Sequence, residues 1–165
     1  MVKVFIDLIS KDEFFSDSYP HTLIYDDACY EVKARMVKKG SDAIAIASDD
    51  IIEEDDDAPT VIDIVDSFGL NEIELGKKDF GAWAKGYLQK VTKQLEEKGK
   101  ADRVPGFKKG ATDLVKFIMG KYDEMQVFVG KAYDMEGALC FCYNKDGEAE
   151  PTFLFFADGF RVEKY

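Results

Sequence analysis

His and Cys, the side chains most used for acid–base work near neutral pH and for nucleophilic chemistry, are few in this 165-residue chain. His21 is the single histidine, and it follows Pro20 in a polar stretch. A nucleophilic triad needs a base beside Ser or Cys and an acid to orient it. Nothing in the spacing links His21 to such a set, and it reads as an exposed loop histidine. Cys29, Cys140 and Cys142 are odd in number and lack disulfide-scaffold spacing, which points to a reducing cytosol. Cys140-Phe141-Cys142 lies in a strand-like run, where successive side chains alternate. The expectation is that the two sulfurs diverge, which suits neither a redox pair nor a zinc knuckle. Structural zinc takes about four ligands. Three cysteines and one distant histidine are a poor set, so no structural zinc is expected and the cysteines read as packing residues.

The acids are more concentrated. Asp49, Asp50, Glu53, Glu54, Asp55, Asp56 and Asp57 put seven carboxylates into nine positions. Hard cations want several oxygens, so this run is the candidate calcium site. It has no EF-hand Asp-x-Asp-x-Asp-Gly start, and such density also suits a solvated, self-repelling loop. Only weak calcium binding is expected, and no cofactor is required. Gly130-Lys131 is not a phosphate-binding loop. Asp12 and Glu13 stand beside Phe14 and Phe15, where an alternating start, Val2 to Ile6, runs into a short acidic turn.

The elements that would position these residues follow from charge and periodicity. The net charge is −11, which argues against global attraction to nucleic acid or anionic membrane. No apolar run approaches the roughly 18 residues of a membrane span. Lys3 and Asp7 near the start, with no small-residue cleavage site, read as no secretory signal. Residues 77–121 hold twelve bases and five acids, leaving ten bases and twenty-eight acids elsewhere. The basic segment is also the helical one. Phe80, Ala84, Tyr87, Val91 and Leu95 form one apolar stripe, with Lys78, Lys85 and Lys93 opposite. Gly99 to Gly106, with Pro105, separates it from a second stripe of Phe107, Ala111, Leu114, Val115, Ile118 and Tyr122. Eight connecting residues between amphipathic helices imply an antiparallel hairpin. Strands are expected at Cys29–Val37, Val61–Val65, Met125–Val129, Ala138–Tyr143 and Thr152–Ala157, with a hairpin turn at Asn144-Lys145-Asp146-Gly147. One domain over residues 1–165 is the default at this length. The layout is α+β: a mainly antiparallel β-sheet core, a basic helical hairpin at about 77–121, and a long acidic loop at about 38–59.

Four segments carry a family resemblance: Asp7-Leu8-Ile9-Ser10-Lys11-Asp12-Glu13-Phe14-Phe15-Ser16-Asp17; Val61 to Phe68; Leu95-Glu96-Glu97-Lys98 with Asp102-Arg103-Val104; and Phe155-Phe156-Ala157-Asp158-Gly159 with Glu163-Lys164. In order and spacing they resemble the translationally controlled tumour protein family, protozoan members especially. The resemblance implies a tent-like sheet similar to zinc-containing methionine sulfoxide reductases and to a small Rab-binding chaperone, both of which use Cys pairs absent here. It implies a cytosolic, non-enzymatic regulatory protein linked to growth and survival, binding calcium and tubulin. The hairpin lysines Lys85, Lys90, Lys93 and Lys98 would face tubulin. An alternative implication is regulation of a Rheb-like small GTPase through Asp12 and Glu13; a third, on the same fold, is a reductase-like enzyme. Secretion without a signal peptide also occurs in the family. Two departures bear on these expectations: the acidic loop lacks the family's Gly-Gly-Asn-rich signature, which its loop phosphorylation is tied to, and Lys131 stands where family members commonly carry Glu. The chain ends in Tyr165, so dimerisation through a terminal Cys, as in vertebrate members, is closed.

Overall fold

A computed structural model describes residues 2–38, 60–145, 148 and 150–164. Among these, a helical hairpin covers one face of a six-stranded sheet and a three-stranded sheet covers the other. The small sheet has the order β11–β1–β2, with β1 Lys3–Asp7, β2 Glu13–Ser16 and β11 Phe160–Lys164. The large sheet has the order β3–β4–β10–β9–β8–β7. Its strands are β3 His21–Ile24, β4 Cys29–Lys33, β7 Asn71–Ile73, β8 Gln126–Val129, β9 Leu139–Tyr143 and β10 Thr152–Phe156. A two-stranded ladder joins β5 Met36–Lys38 to β6 Thr60–Ile62. All described pairings are antiparallel.

The aromatic contacts show why β9 and β10 are apolar throughout. Phe141 and Phe156 meet Phe80 and Tyr87 of the hairpin at ring separations of 5.1 and 5.8 Å. Phe155, one residue along, stacks on Phe15 of the small sheet at 4.4 Å. A strand covered on both faces has no polar side to alternate with, so all five residues of each are buried.

The hairpin comprises α2 Lys77–Glu97 and α3 Val104–Gly120. The buried residues of α2 are Phe80, Ala84, Tyr87, Val91 and Leu95, the expected stripe. The connection is shorter than the eight residues expected. A 3₁₀ turn at Ala101–Arg103 runs directly into α3, whose first turn holds Pro105, where proline's missing N–H leaves no bond unmade.

Four local expectations need correction. Val61–Val65 is not one strand: β6 ends at Ile62 and a helix, α1 Asp63–Phe68, begins. The Asp63 carboxylate accepts the amides of Ile64 (2.8 Å) and Arg35 (3.0 Å), and Gly69, left-handed at φ 66°, ends the helix. Cys29–Val37 is likewise broken at Ala34-Arg35, where the chain leaves the large sheet to pair in the small ladder. His21 is not in a loop. It sits half-buried in β3, with its ring edge-on to Phe5 at 5.6 Å and its Nδ1 2.9 Å from the Tyr19 carbonyl. Finally, Cys140 and Cys142 do not diverge. Residues two apart on a strand share a face, here the face opposite Phe141. Both are free and buried. The acidic loop beyond Lys38, and Asp146 and Gly147 of the expected turn, lie outside the described residues.

Candidate binding surfaces

The β1–β2 turn is built around Asp7, which is fully buried. Its Oδ1 accepts the Ile9 amide (3.1 Å). Its Oδ2 accepts the Ser10 amide (3.1 Å), the Ser10 hydroxyl (2.6 Å) and the Ala138 amide (2.8 Å). Lys11 takes a left-handed conformation at φ 69° to close the turn. Asp12 reaches across the sheet, where its Oδ2 accepts the Ala132 amide at 3.0 Å. The two carboxylates therefore hold opposite ends of the β8–β9 loop. Both need glycine beside them: a Cβ on Gly137 would fall 2.4 Å from the Asp7 carboxylate, and one on Gly130 would fall 2.5 Å from that of Asp12. Asp12 and Glu13 are thus brought together but do different work. Asp12 is a tether, while Glu13 is exposed. The β1–β2 register slips between Phe5, opposite Phe15, and Ile6, opposite Glu13. Such a bulge bends the strand and re-aims its side chains. Glu13 lines a hollow of about 350 Å³ with Lys11, Asp12, Ser67, Phe68 and Lys131.

On the hairpin, Lys85, Lys93 and Lys98 are exposed. Lys90 is half-buried and committed to the β8–β9 loop, donating to the Glu136 carbonyl at 3.1 Å, with its carboxylate 3.7 Å away. At about 100° per residue, Lys93 falls between Lys85 and Lys90 around α2. Lys90 and Lys93 border a hollow of about 390 Å³ together with Lys11. Lys98, past the last helical residue, lines a separate hollow, and Lys85 lines neither. The four lysines therefore form no single cluster. Asp49, Asp50, Glu53, Glu54, Asp55, Asp56 and Asp57, the candidate calcium ligands, lie outside the described residues. Among the described residues no group of three or more His, Cys, Asp or Glu side chains could hold a metal.

Burial pushes all three thiols upward: Cys29 and Cys140 well up, and Cys142 to about 12, with Glu72 adding to it. Such sulfurs are held as thiols at neutral pH, whereas thiol chemistry runs through the thiolate.

Sequence reasoning missed two features here. The burial of Asp7 is one; the Asp7-to-Ser10 spacing of an Asx-type turn is its one local signal. Arg103 and Asp158 form a two-pronged pair at 2.8 and 2.9 Å, which raises the Arg103 pKa. They are 55 positions apart, and no local signal joins them.

Two packed antiparallel sheets, a basic helical hairpin against one of them and an ordered acidic turn at one edge define an α+β protein of mainly antiparallel sheet. Comparison with known proteins agrees with this architecture. The family profile described as "Translationally controlled tumour protein" matches residues 2–161, and the chain belongs to that family. A translationally-controlled tumor protein homolog of Plasmodium chabaudi chabaudi is 39% identical over 99% of this chain and 100% of its own length. Homologs from Theileria parva and Dictyostelium discoideum are 34% and 37% identical, again with 99% of this chain and 100% of their own lengths covered. The translationally controlled tumor-associated protein p23fyp of Schizosaccharomyces pombe matches in structure with a TM-score of 0.81 and 30% identity over 100% of both chains. A Caenorhabditis elegans structure, at 24% identity and a TM-score of 0.64 over 100% of this chain and 99% of its own, shares the fold. Among the described residues no helix is long and apolar enough to cross a membrane.

Proposed function

We propose that this protein is a non-enzymatic regulatory protein that works by binding in the cytosol, and that its helical hairpin docks on an acidic partner, tubulin foremost. Family membership supports the class. The observation that carries the partner is charge segregation: twelve bases against five acids in residues 77–121 of a chain at −11. The apolar stripe of α2 is buried while Lys85, Lys93 and Lys98 are exposed, so the basic charge is presented outward. Attraction between exposed charges is screened as the Debye length falls from about 10 Å at 0.1 M salt to about 3 Å at 1 M. Combining Lys85→Glu with Lys93→Glu lowers microtubule co-sedimentation and leaves the melting temperature nearly unchanged. Unaltered co-sedimentation removes the hairpin from the interface. Weak calcium binding by the acidic loop is a separate part of this proposal, and calorimetry tests it directly.

A second reading, regulation of a Rheb-like small GTPase, is favoured by the bulge that presents Glu13 on a turn tied down by Asp7 and Asp12. A preorganised turn loses little entropy on binding. Glu13→Val abolishes GTPase capture while the fold survives; equal recovery of GTPase by wild type and variant refutes this role.

A further inference from the structure

Among the described residues each sheet has an edge strand paired on one side only, β3 in the large sheet and β11 in the small one, and the two strands line a common groove. β3 pairs only with β4, and β11 only with β1, among the described residues. Leu23 is opposite Tyr30 in one register, and Val162 is opposite Phe5 in the other. The Phe5 and Tyr30 rings meet edge-on at 5.0 Å, so this is the seam where the sheets pack. The seam stays open at its rim, where Leu23 is 46% and Val162 44% exposed. Two hollows, of about 830 and 740 Å³, share Leu23, Tyr30 and Val162 as lining and so run into one another. The groove therefore has apolar walls and a strip of unpaired backbone N–H and C=O groups along each side, since an edge strand leaves half of these unused.

Its lining is richer in bases than the chain as a whole. At the hairpin bend Lys98, Lys100, Arg103 and Arg161 outnumber Asp27, Asp102 and Asp158. At the other end Lys3 and Lys164 outnumber Asp17. Arg103 is taken by Asp158, and Arg161 by Glu163. The ammonium groups of Lys3, Lys98, Lys100 and Lys164 have no hydrogen-bond or ion-pair partner among the described residues. A protein at −11 thus carries a groove that is apolar at its centre and has unpaired ammonium groups at both ends: Lys98 and Lys100 at the bend, where Asp27 and Asp102 balance them, and Lys3 and Lys164 in excess over Asp17 at the other end.

We propose that this groove takes an extended peptide segment of another protein, apolar at its centre and acidic at both ends, added as a strand to one of the two edges. Main-chain hydrogen bonds hold a peptide in such a mode, and pockets for alternate side chains select it. Strands of four and five residues, at about 3.3 Å per residue, fit a core of about five residues. Leu23 and Val162 flank its apolar side chains, and the end lysines meet its acids.

The test uses the full chain and three fluorescein-labelled octapeptides, read by anisotropy. One is Asp-Glu-Val-Thr-Val-Leu-Glu-Asp, the second replaces its four acids by lysine, and the third is the first with N-methyl groups on alternate backbone nitrogens. Saturable binding of the first is expected, with at least about tenfold weaker binding of the other two. Amide shifts should concentrate in residues 21–24 and 160–164. Leu23→Ser and Val162→Ser should each weaken the first probe by at least about fivefold at unchanged melting temperature. Because the N-methyl comparison needs no substitution, the test holds even where a variant misfolds. Equal affinity for all three probes, no binding of the first, or shifts elsewhere on the molecule overturn the proposal. So does edge-to-edge dimerisation of the chain through β3 or β11, seen by sedimentation, which would make a second copy the occupant.

Discussion

Replacing Asp7 tests whether one buried carboxylate organises the turn that presents Glu13. Asp7 is fully buried, and every group it bonds is a donor: the amides of Ile9, Ser10 and Ala138 and the Ser10 hydroxyl. In Asp7→Ala the Ala138 amide loses its acceptor in a fully packed site, while the turn amides of Ile9 and Ser10 are only part-buried and recover water. Leaving one buried donor unmade costs about 1–3 kcal/mol, and hydrogen bonds to a charged acceptor run about 1.5–3 kcal/mol each. A total near 3 kcal/mol follows, after allowing for the desolvation of the carboxylate that the alanine avoids. For a chain of this size that is a fall in melting temperature of about 6–12 °C. Asp7→Asn separates charge from geometry. Its oxygen can take the Oδ2 position and keep Ser10 and Ala138, which leaves its NH₂ group against the single Ile9 amide. It should cost about 1–2 kcal/mol, so stability falls in the order wild type, Asn, Ala. Thermal and urea melts measure the order, and hydrogen exchange at Ala138 should accelerate in Asp7→Ala far more than in Asp7→Asn. An alanine variant within about 0.5 kcal/mol of wild type, the range of an ordinary surface change, would refute the argument. So would an asparagine variant as unstable as the alanine one.

Two further outcomes follow from the packing. Gly110→Ala should destabilise by about 1–3 kcal/mol, because its Cβ would lie 2.0 Å from the Tyr25 carbonyl and 2.6 Å from Ala28. Gly86→Ala meets nothing within 4 Å and should gain up to about 1 kcal/mol; urea melts showing the same sign for both would dismiss the close approach of α3 to the β3–β4 turn. Stability should fall as pH rises through 9 toward about 12, the span between the ordinary and the folded Cys142 values. In that span the unfolded chain releases a proton the native state keeps, which costs up to about 1.4 kcal/mol per pH unit per thiol. Urea midpoints flat from pH 8 to 11, or unchanged in slope in Cys142→Ala, would count against buried neutral thiols.

The hairpin was legible because its signal is long. Five apolar positions at helical spacing all proved buried, and the lysines opposite them proved exposed. β9 and β10 were legible for a different reason: double coverage makes a strand uniformly apolar, and that run is visible without knowing what covers it. The failures are short. Over Val61 to Val65, periods of 2 and 3.6 cannot be told apart. The Arg35 amide, 28 positions away, meets Asp63 where the helix begins. His21 failed similarly, since its burial comes from Phe5, Phe15 and Tyr30, which approach it only through sheet packing.

The binding surfaces divide along the same line. Which lysines and acids are present is written locally, but whether each is available depends on partners far along the chain. Lys90 and Lys93 look equivalent in sequence, yet Lys90 is held by Glu136 and Lys93 is not. Asp12 lies in the β1–β2 turn, yet its carboxylate is tied to the Ala132 amide, 120 positions away. The groove between β3 and β11 lies further still from the sequence, because it is bounded by the edges of two sheets. An edge is a property of strand order; the charges of Arg161, Glu163 and Lys164 suit one, but His21–Ile24 carries no such mark. On the proposed reading, the charge pattern therefore indicates what kind of partner to seek, and the topology decides where it can sit.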